Sequence, residues 1–317
     1  MRYGIPYLGS KNGIAERIVA LLPTGRRFVD LFAGGCAVTH AAMLSGKWKS
    51  FLARDADWRP ISLFRDAVSG VLPECSKWIS REEFQERKKD NPYVRYCWSF
   101  GNNGEGYIYG KEIEPRKKAV HEAVFDGEFE GLRSILPEES KAVEKAVDSI
   151  PIPDWRRRMR KVFGVLSAFD RSGRKFPDGM NYSRMYCLEH IRHFLDLSGL
   201  HCAFEIWKTI FNNNFDIVNS SYDSYEYEEG DVVYCDPPYD TKGGERFYNG
   251  GFDFEAFREW LRSRDYPVYV SEYSMPDDFV AIGKFRKVST YCATRNFPIN
   301  EKVFVHRKWN FRPYGLF

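Results

Sequence analysis

The stretch FVDLFAGG, residues 28–35, decides how the fold begins. Its first half has the β-branched and aromatic residues of a short buried strand, and Ala-Gly-Gly then forms a tight turn before the helical pattern of residues 36–46. Residues 50–54 (SFLAR) predict a second buried strand, and residues 11–22 predict an amphipathic helix before the first strand. This order, helix–β–α–β, is typical of the start of a doubly wound α/β sheet.

Strand patterns return far downstream, in residues 231–239, 267–273 and 301–309, and a helical pattern at 252–264 separates the first two. From about residue 60 to residue 205, charged helical stretches alternate with loops and strand signals are scarce. We therefore expect a discontinuous α/β, Rossmann-like domain formed by residues 1–60 and 206–317. A mostly helical domain, residues 61–205, is expected to be inserted into it.

The composition is that of a globular protein rather than a disordered or fibrous one. Apolar residues make up 43% of the 317 residues, and 47 Lys and Arg against 44 Asp and Glu leave a net charge of +3. The seven cysteines include no CxxC pair, and no stretch approaches the roughly 18 apolar residues of a membrane span. We expect a cytoplasmic setting, with no membrane partner and no metal.

The glycine turn of residues 33–35 allows a ligand to approach the backbone closely. The chain lacks both GxGxxG and GxxxxGK[ST], so a cradle for a pyrophosphate or triphosphate is not supported. A nucleoside without phosphate fits better, and Asp55, at the end of the next strand, is placed to accept hydrogen bonds from ribose hydroxyls. The alternative is an ordinary strand–helix turn followed by a solvated acidic residue.

The segment DPPY, residues 236–239, directly follows the strand pattern VVYC. Two successive prolines hold the backbone extended, so the Pro237 carbonyl projects rigidly beside the Asp236 carboxylate, and both are hydrogen-bond acceptors. Two acceptors next to the flat face of Tyr239 suit the exocyclic amine of a stacked base. Accepting both amine hydrogens should localise the nitrogen lone pair for attack on an electrophilic methyl group. The alternative is a structural turn with a capping Asp and a core Tyr.

The pairing of DLFAGG, residues 30–35, with DPPY resembles the Dam-type, α-group (D12 class) N6-adenine-specific DNA methyltransferases of prokaryotes and phages. Residues 7–11 (YLGSK) match the aromatic-x-Gly-x-Lys segment that usually opens these proteins. The resemblance covers residues 1–60 and 215–310 well, and in the middle FGNNGEGYIYG, residues 100–110, is similar to segments of phage-type members. Further similarity lies in residues 54–57 (RDAD), 270–273 (VSEY) and 300–303 (NEKV).

The resemblance implies an S-adenosylmethionine-dependent methyltransferase sheet with an inserted target-recognition domain that binds double-stranded DNA. The methyl group would pass to the N6 amine of an adenine flipped out of the duplex, in restriction–modification or phage self-protection. The implied cofactor-binding residues are Tyr7, Gly9 and Lys11 along the pocket, Asp30, Phe32, Ala33 and Gly34 around the methionine end, and Asp55 at the ribose. The implied catalytic residues are those of DPPY: Asp236 and the Pro237 carbonyl hold the amine, Pro238 stiffens the segment, and Tyr239 stacks on the adenine.

Two positions depart from the family pattern. Many relatives carry Asp-Phe or Asp-Tyr one strand before DPPY, where the acidic group meets the adenine of the cofactor, whereas this chain has Ser221-Tyr222-Asp223. Arg54 stands where an Asn is frequent. The residue that contacts the cofactor adenine is therefore left open.

A basic segment lies within the expected insertion. Residues 151–180 contain eight Lys and Arg against three Asp and Glu, a net charge of +5, which leaves −2 for the rest of the chain. Such groups neutralise phosphates and can read guanine edges. The candidate DNA-binding residues are Arg156, Arg157, Arg160, Arg171, Arg174 and Lys175. A solvated surface is the alternative both for the run at 156–161 and for the loop at 171–175.

Other functions remain open at this point. Methylation of the cytosine N4 amine uses the same geometry, although those enzymes more often carry Ser-Pro-Pro-Tyr. A cytosine C5 methyltransferase is disfavoured because the chain has no Pro-Cys dipeptide, and Cys235 is expected to face the core. A catalytically silent DNA-binding protein on the same scaffold and an unrelated dehydrogenase are further alternatives. The intact motifs disfavour the first of these, and the missing phosphate fingerprint disfavours the second.

Overall fold

A seven-stranded sheet organises the part of the chain that carries the sequence motifs. The order across it is β3-β2-β1-β4-β5-β7-β6. The first five of these strands are mutually parallel, and β7 runs antiparallel to both β5 and β6. The α/β, Rossmann-like class predicted from the sequence is therefore confirmed. The strands are β1 (Arg27–Asp30), β2 (Ser50–Asp55), β3 (Phe215–Asn219), β4 (Asp231–Cys235), β5 (Val268–Glu272), β6 (Phe279–Ser289) and β7 (Phe297–His306).

The computed structural model describes residues 3–171, 187–211, 214–239, 251–289 and 297–309. The chain divides into two compact units, one formed by Met1–Leu72 and Asp196–Phe317 and the other by Pro73–Leu195. None of the helices in the described ranges has the length and apolar character needed to span a membrane.

The register of the parallel strands brings the sequence motifs to one edge of the sheet. Asp30, the last residue of β1, lies opposite Ala53 of β2 and Tyr234 of β4. Asp55 and Asp236 follow these partners by two residues each. Because carboxyl ends of adjacent parallel strands meet at the same edge, the side chains of all three aspartates belong to one crevice, where ligands bind in open α/β sheets.

Strand periodicity places the core on both faces of this sheet. Phe28 of β1 and Tyr234 of β4 belong to one apolar cluster, whereas Val29 of β1 and Cys235 of β4 belong to the other. Adjacent residues of a strand point to opposite faces, so the unbroken apolar run in β4 serves both layers. Cys235 is fully buried, as predicted. The helices of this unit include α1 (Ala15–Leu21), α2 (Ala37–Ser45), α3 (Trp58–Val68) and α11 (Phe254–Ser263).

The described part of the second unit is largely helical. A capping box between Ser80 and Glu83 starts α4, since each residue's side chain accepts a hydrogen bond from the other's peptide N–H. An isolated antiparallel bridge pairs Ser99 with Tyr107. The helices are α4 (Arg81–Arg87), α5 (Pro92–Cys97), α6 (Glu114–Phe125), α7 (Glu130–Ile135), α8 (Pro137–Val147), α9 (Trp155–Arg171) and the start of α10 (Glu189–Phe211).

Candidate active site

The glycine turn after β1 is built against the N-terminal segment. Gly34 has a φ of +46°, which favours glycine, and a Cβ atom added there would lie 3.0 Å from the Tyr7 ring. A Cβ atom added to Gly35 would lie 2.7 Å from Cβ of Tyr7. The peptide N–H of Ala33 donates to the carbonyl of Arg54 at 2.9 Å, which ties the turn to the end of β2. Tyr7 therefore lies against the turn that contains Ala33 and Gly34, two other residues predicted for the cofactor pocket.

The carboxylate of Asp55 joins this turn to the second strand. Its Oδ2 atom accepts the Gly34 N–H at 2.7 Å, and its Oδ1 atom accepts the Asp57 N–H at 2.8 Å. The pKa of Asp55 is raised to about 6, chiefly by burial and in part by nearby carboxylates, while the two peptide N–H groups oppose the shift. The side chain is thus rigidly held at the edge of the crevice.

Asp30 is buried beneath the same edge. The Thr39 hydroxyl of α2 donates to its Oδ2 atom at 2.8 Å. The pKa of Asp30 is raised to about 7, chiefly by burial and in part by the charges of Asp236 and Asp55, while the hydrogen bond from Thr39 opposes the rise. No ion pair is recorded for Asp30 or Asp55 with the described residues. A cationic ligand would stabilise the ionised forms of both.

Phe32 belongs to an aromatic cluster beside the crevice. Its ring stacks on Tyr222 at 5.3 Å between centroids, and Phe257 of α11 meets it edge-on at 5.4 Å. Tyr222 lies in the segment whose role the sequence left open, and the neighbouring Asp223 is exposed. The aromatic residue of Ser221-Tyr222-Asp223 thus packs on a predicted cofactor residue.

Arg54 has a role that sequence reasoning missed. It is buried, and its Nη2 atom donates to the hydroxyls of Ser220 at 2.5 Å and Ser224 at 2.8 Å. Its guanidinium also lies 5.5 Å from the centroid of the Tyr225 ring. Arg54 therefore ties the end of β2 to the segment around Tyr222. The contact could not be predicted from local sequence, because the two serines lie more than 160 residues from Arg54 in the chain.

Lys11 lies beside the DPPY carboxylate. Its Nζ atom is 2.6 Å from Oδ2 of Asp236 and 3.4 Å from the carbonyl of Gly9, and the side chain is almost fully buried. The same nitrogen lies 4.6 Å from the centroid of the Tyr239 ring. Lys11 and Gly9 of the opening segment are thus brought to the DPPY motif.

The DPPY segment itself begins directly after β4. Pro237 is buried, and Asp236, Pro238 and Tyr239 are half-buried. The Tyr239 ring meets Tyr273 edge-on at 4.4 Å. Burial raises the pKa of the Tyr239 hydroxyl, and the charges of Asp236 and Glu301 raise it further. Tyr239 therefore stays neutral at physiological pH.

The basic residues of α9 differ in exposure. Arg156, Arg157 and Arg160 are exposed, and so is Arg171 at the last position of the helix. Arg158 is buried, and its guanidinium donates to the carbonyls that end α6 and follow α8. One residue of the Arg-Arg-Arg run therefore supports the fold. The other predicted DNA-binding residues, Arg174 and Lys175, lie outside the described residues.

The donor set of the crevice is suited to an organic cation. Within the described ranges, no group of three His, Cys, Asp or Glu side chains could hold a metal. S-adenosylmethionine carries positive charge on its sulfonium and ammonium groups, and its ribose offers two hydroxyl donors. The raised pKa values of Asp30 and Asp55 and the close backbone at Gly34 are features that such a ligand would complement.

Comparisons with known proteins agree with this geometry. Residues 7–118 match the family profile described as D12 class N6 adenine-specific DNA methyltransferase. The matched region contains the glycine turn, the Asp55 strand end and the FGNNGEGYIYG segment. The chain is also 25% identical over 278 residues to the Retron Ec67 DNA adenine methylase of Escherichia coli, and this alignment covers 84% of the chain and 75% of that protein. Both findings support the assignment of this chain to the Dam-type, D12 class N6 adenine-specific DNA methyltransferases.

Proposed function

We propose that this chain transfers a methyl group from S-adenosylmethionine to the N6 amine of an adenine flipped out of double-stranded DNA. The observation that carries the proposal is the position of DPPY. The motif follows β4 at the end of the sheet where Asp30 ends the adjacent strand β1 and Asp55 ends β2, the strand next to β1. This edge thus offers acceptors for an amine next to a crevice suited to a cationic nucleoside.

The cofactor half of the site comprises the glycine turn and the two carboxylates. Asp55 would accept hydrogen bonds from the ribose, and Asp30, Phe32, Ala33 and Gly34 would surround the methionine end. Tyr7, Gly9 and Lys11 would complete the pocket. When bound, S-adenosylmethionine supplies an electrophilic methyl group on a positively charged sulfur. The proposed work of the protein here is to orient that methyl group and to place negative charge near the cation.

The target half of the site is the DPPY segment. The Asp236 carboxylate and the Pro237 carbonyl would accept the two hydrogens of the adenine amine, while Pro238 keeps the segment extended and Tyr239 stacks on the base. These acceptors would localise the lone pair of the amine nitrogen for attack on the methyl carbon. As the N–C bond forms, the C–S bond would break to leave a neutral thioether, and the Asp236 carboxylate would take up the surplus proton of the nitrogen. Stacking and hydrogen bonding offset the few kcal/mol that extrusion of the base costs.

DNA binding is assigned to the helical part of the chain. Residues 1–60 and 206–317 would form the methyltransferase domain, and residues 61–205 would form the target-recognition domain. The exposure of Arg156, Arg157, Arg160 and Arg171 on α9 supports a phosphate-binding face. Arg174 and Lys175 extend the same basic segment in the sequence.

The test is transfer of label from tritiated S-adenosylmethionine to unmethylated DNA, followed by identification of the modified nucleoside. The wild type should yield N6-methyladenine. Asp236→Ala should lower turnover at least about a hundredfold and leave cofactor binding nearly unchanged, because it removes an acceptor from the reacting amine. Asp216→Ala, an exposed aspartate on β3, is the matched control. Label in cytosine, or full turnover by Asp236→Ala, would overturn the proposal.

A further inference from the structure

Glu301 is a buried carboxylate to which neither the sequence motifs nor the proposed chemistry gives a role. It lies on β7, is fully buried, and pairs with Phe285 of β6 in the sheet register. Its Oε1 atom lies 3.5 Å from Nζ of Lys11. Burial of a carboxylate costs free energy unless the charge is paired. The contact with Lys11 provides that pairing, and the role of the buried pair remains to be explained.

Lys11 lies between two carboxylates. Its ammonium is 2.6 Å from Oδ2 of Asp236 and 3.5 Å from Oε1 of Glu301. The ammonium is therefore shared between Asp236, the first residue of DPPY, and Glu301 on strand β7. The exposed fractions of the Lys11 and Glu301 side chains are 5% and 1%, so water screens this arrangement little.

The sharing has a chemical consequence for Asp236. A carboxylate paired with one full ammonium loses part of its strength as an acceptor for a target amine. A second carboxylate on the same ammonium restores that strength, since the three charges then sum to −1. Glu301 is thus placed to keep Asp236 oriented by Lys11 and still electron-rich.

Other ionisable groups around Asp236 and Glu301 also define the local field. Asp30 and Asp55 lie at the ends of β1 and β2 and feel the charge of Asp236. Tyr234 of β4 lies near both Asp236 and Glu301. The remaining groups are Tyr239 in DPPY and, at the end of β5, Glu272 and Tyr273. Lys11 is the cation whose charge acts on Tyr273, and it opposes the effect of the surrounding carboxylates on that hydroxyl.

We propose that Glu301 is a positioning residue for methyl transfer that acts through Lys11 on Asp236. Lys11 accordingly serves the target-amine half of the site as well as the pocket predicted for the cofactor. This inference rests on the proposed function, because it assigns Asp236 to the target amine.

The test compares Glu301→Gln with the wild type in both steady-state kinetics and the pH profile of kcat. The variant should lower kcat about tenfold or more, the loss expected from weakening one charge-assisted contact, and leave KM for DNA and Kd for S-adenosylmethionine within about twofold. Removing a negative charge beside Asp236 favours its ionised form, so the acid limb of the profile should move to lower pH. Glu226→Gln, an exposed carboxylate, is the matched control.

A double-mutant cycle separates positioning through Lys11 from a general loss of structure. In a Lys11→Gln background, adding Glu301→Gln should change kcat by less than about twofold, because the residue through which Glu301 acts is gone. A loss of equal size in both backgrounds, or an acid limb that does not move, would overturn the inference. A wild type that labels no adenine would overturn the proposed function, and this inference with it. An active wild type with a fully active Glu301→Gln variant would overturn the inference alone.

Discussion

The peptide N–H of Gly34 donates a hydrogen bond of 2.7 Å to Oδ2 of Asp55. The contact joins the glycine turn after β1 to the end of β2, two segments 21 residues apart in sequence. The second oxygen of the same carboxylate accepts the N–H of Asp57, which caps α3. One side chain therefore fixes the relative position of two loops that are proposed to surround the cofactor.

Replacing Asp55 with Ala should weaken binding of S-adenosylmethionine by about tenfold or more. The variant loses both the proposed acceptor for the ribose hydroxyls and the contact that fixes the turn, and hydrogen bonds to charged groups are worth roughly 1.5–3 kcal/mol each. Isothermal titration calorimetry gives the Kd directly. Asp66→Ala on α3 is the control, because the Asp66 carboxylate contacts Arg65 instead. An unchanged Kd for Asp55→Ala would remove Asp55 from the cofactor site.

The raised pKa of Asp30, about 7, predicts pH-dependent cofactor binding. A cation stabilises the ionised carboxylate, so binding should release a proton and tighten as the pH rises from 6 to 8, by about tenfold overall. The free protein should show the opposite trend. Its free energy of unfolding should fall as the pH rises from about 4 to 7, because the folded state retains the proton longer than the unfolded chain.

Calorimetry in buffers of different ionisation enthalpy measures the proton release that accompanies binding. Asp30→Asn should bind the cofactor with less proton release and a flatter pH dependence. Release that is the same in Asp30→Asn and in the wild type would assign the titration to another group, such as Asp55.

The sequence predicted the parts of the fold that local patterns define. Short apolar runs predict β1, β2, β4 and β5, and sequence motifs identify the glycine turn and DPPY. β3 and β6 were missed, because β3 is a mostly exposed edge strand and β6 mixes charged residues with apolar ones. Strand β7 was predicted only from residue 301 onward, although the strand begins at Phe297.

Only the residues of the site that lie in local sequence motifs could be predicted. The burial of Arg54 and Glu301 depends on partners distant in sequence, Ser220 and Ser224 for the first and Lys11 for the second. A charge count likewise does not distinguish Arg158 from the exposed arginines beside it. Its burial follows from the packing of α9 against α6 and α8, which the composition of residues 151–180 does not encode.

Arg158 should contribute to stability rather than to DNA binding. Its guanidinium donates to the carbonyls of Ala123, Val124 and Ile150 at 2.7–2.9 Å. Arg158→Lys retains the charge but leaves several buried carbonyls without donors, so it should lower the free energy of unfolding by about 3 kcal/mol. Urea unfolding monitored by circular dichroism measures the loss. Arg157→Lys, an exposed neighbour, should change it by less than about 0.5 kcal/mol, and equal effects would contradict the structural role.

The exposed arginines of α9 should carry part of the salt dependence of DNA binding. The double variant Arg157→Gln/Arg160→Gln should weaken binding and reduce the slope of log Kd against log salt concentration by about 1–2, since each phosphate contact contributes about 0.9. Fluorescence anisotropy at several salt concentrations measures the slope. Lys118→Gln on α6, whose ammonium pairs with Glu122, is the control. An unchanged slope in the double variant would place the DNA contacts elsewhere.

A buried histidine pair in the second unit has a hydrogen-bond direction that its neighbours fix. Nε2 of His121 lies 2.7 Å from the carbonyl of Ser76, which can only accept, so this nitrogen carries the proton. Nδ1 of His121 must then accept from Nε2 of His190 at 3.1 Å. Nδ1 of His190 in turn accepts from the Tyr109 hydroxyl at 2.7 Å. Burial favours the neutral form of both rings, and a proton added to Nδ1 of His121 would set its N–H against the N–H of His190.

This arrangement predicts that acid destabilises the second unit. Burial lowers the pKa of His121 to about 4 and holds that of His190 well below its usual value, whereas both histidines take up protons near pH 6.5 when the chain unfolds. The free energy of unfolding should therefore fall as the pH drops from 6.5 towards 4. His121→Gln removes one titrating group and should make this dependence shallower in urea titrations at several pH values. Tyr109→Phe, which removes a hydrogen bond but no group that titrates in this range, should lower stability equally at each pH. A pH dependence that His121→Gln leaves unchanged would show that the pair does not govern acid stability.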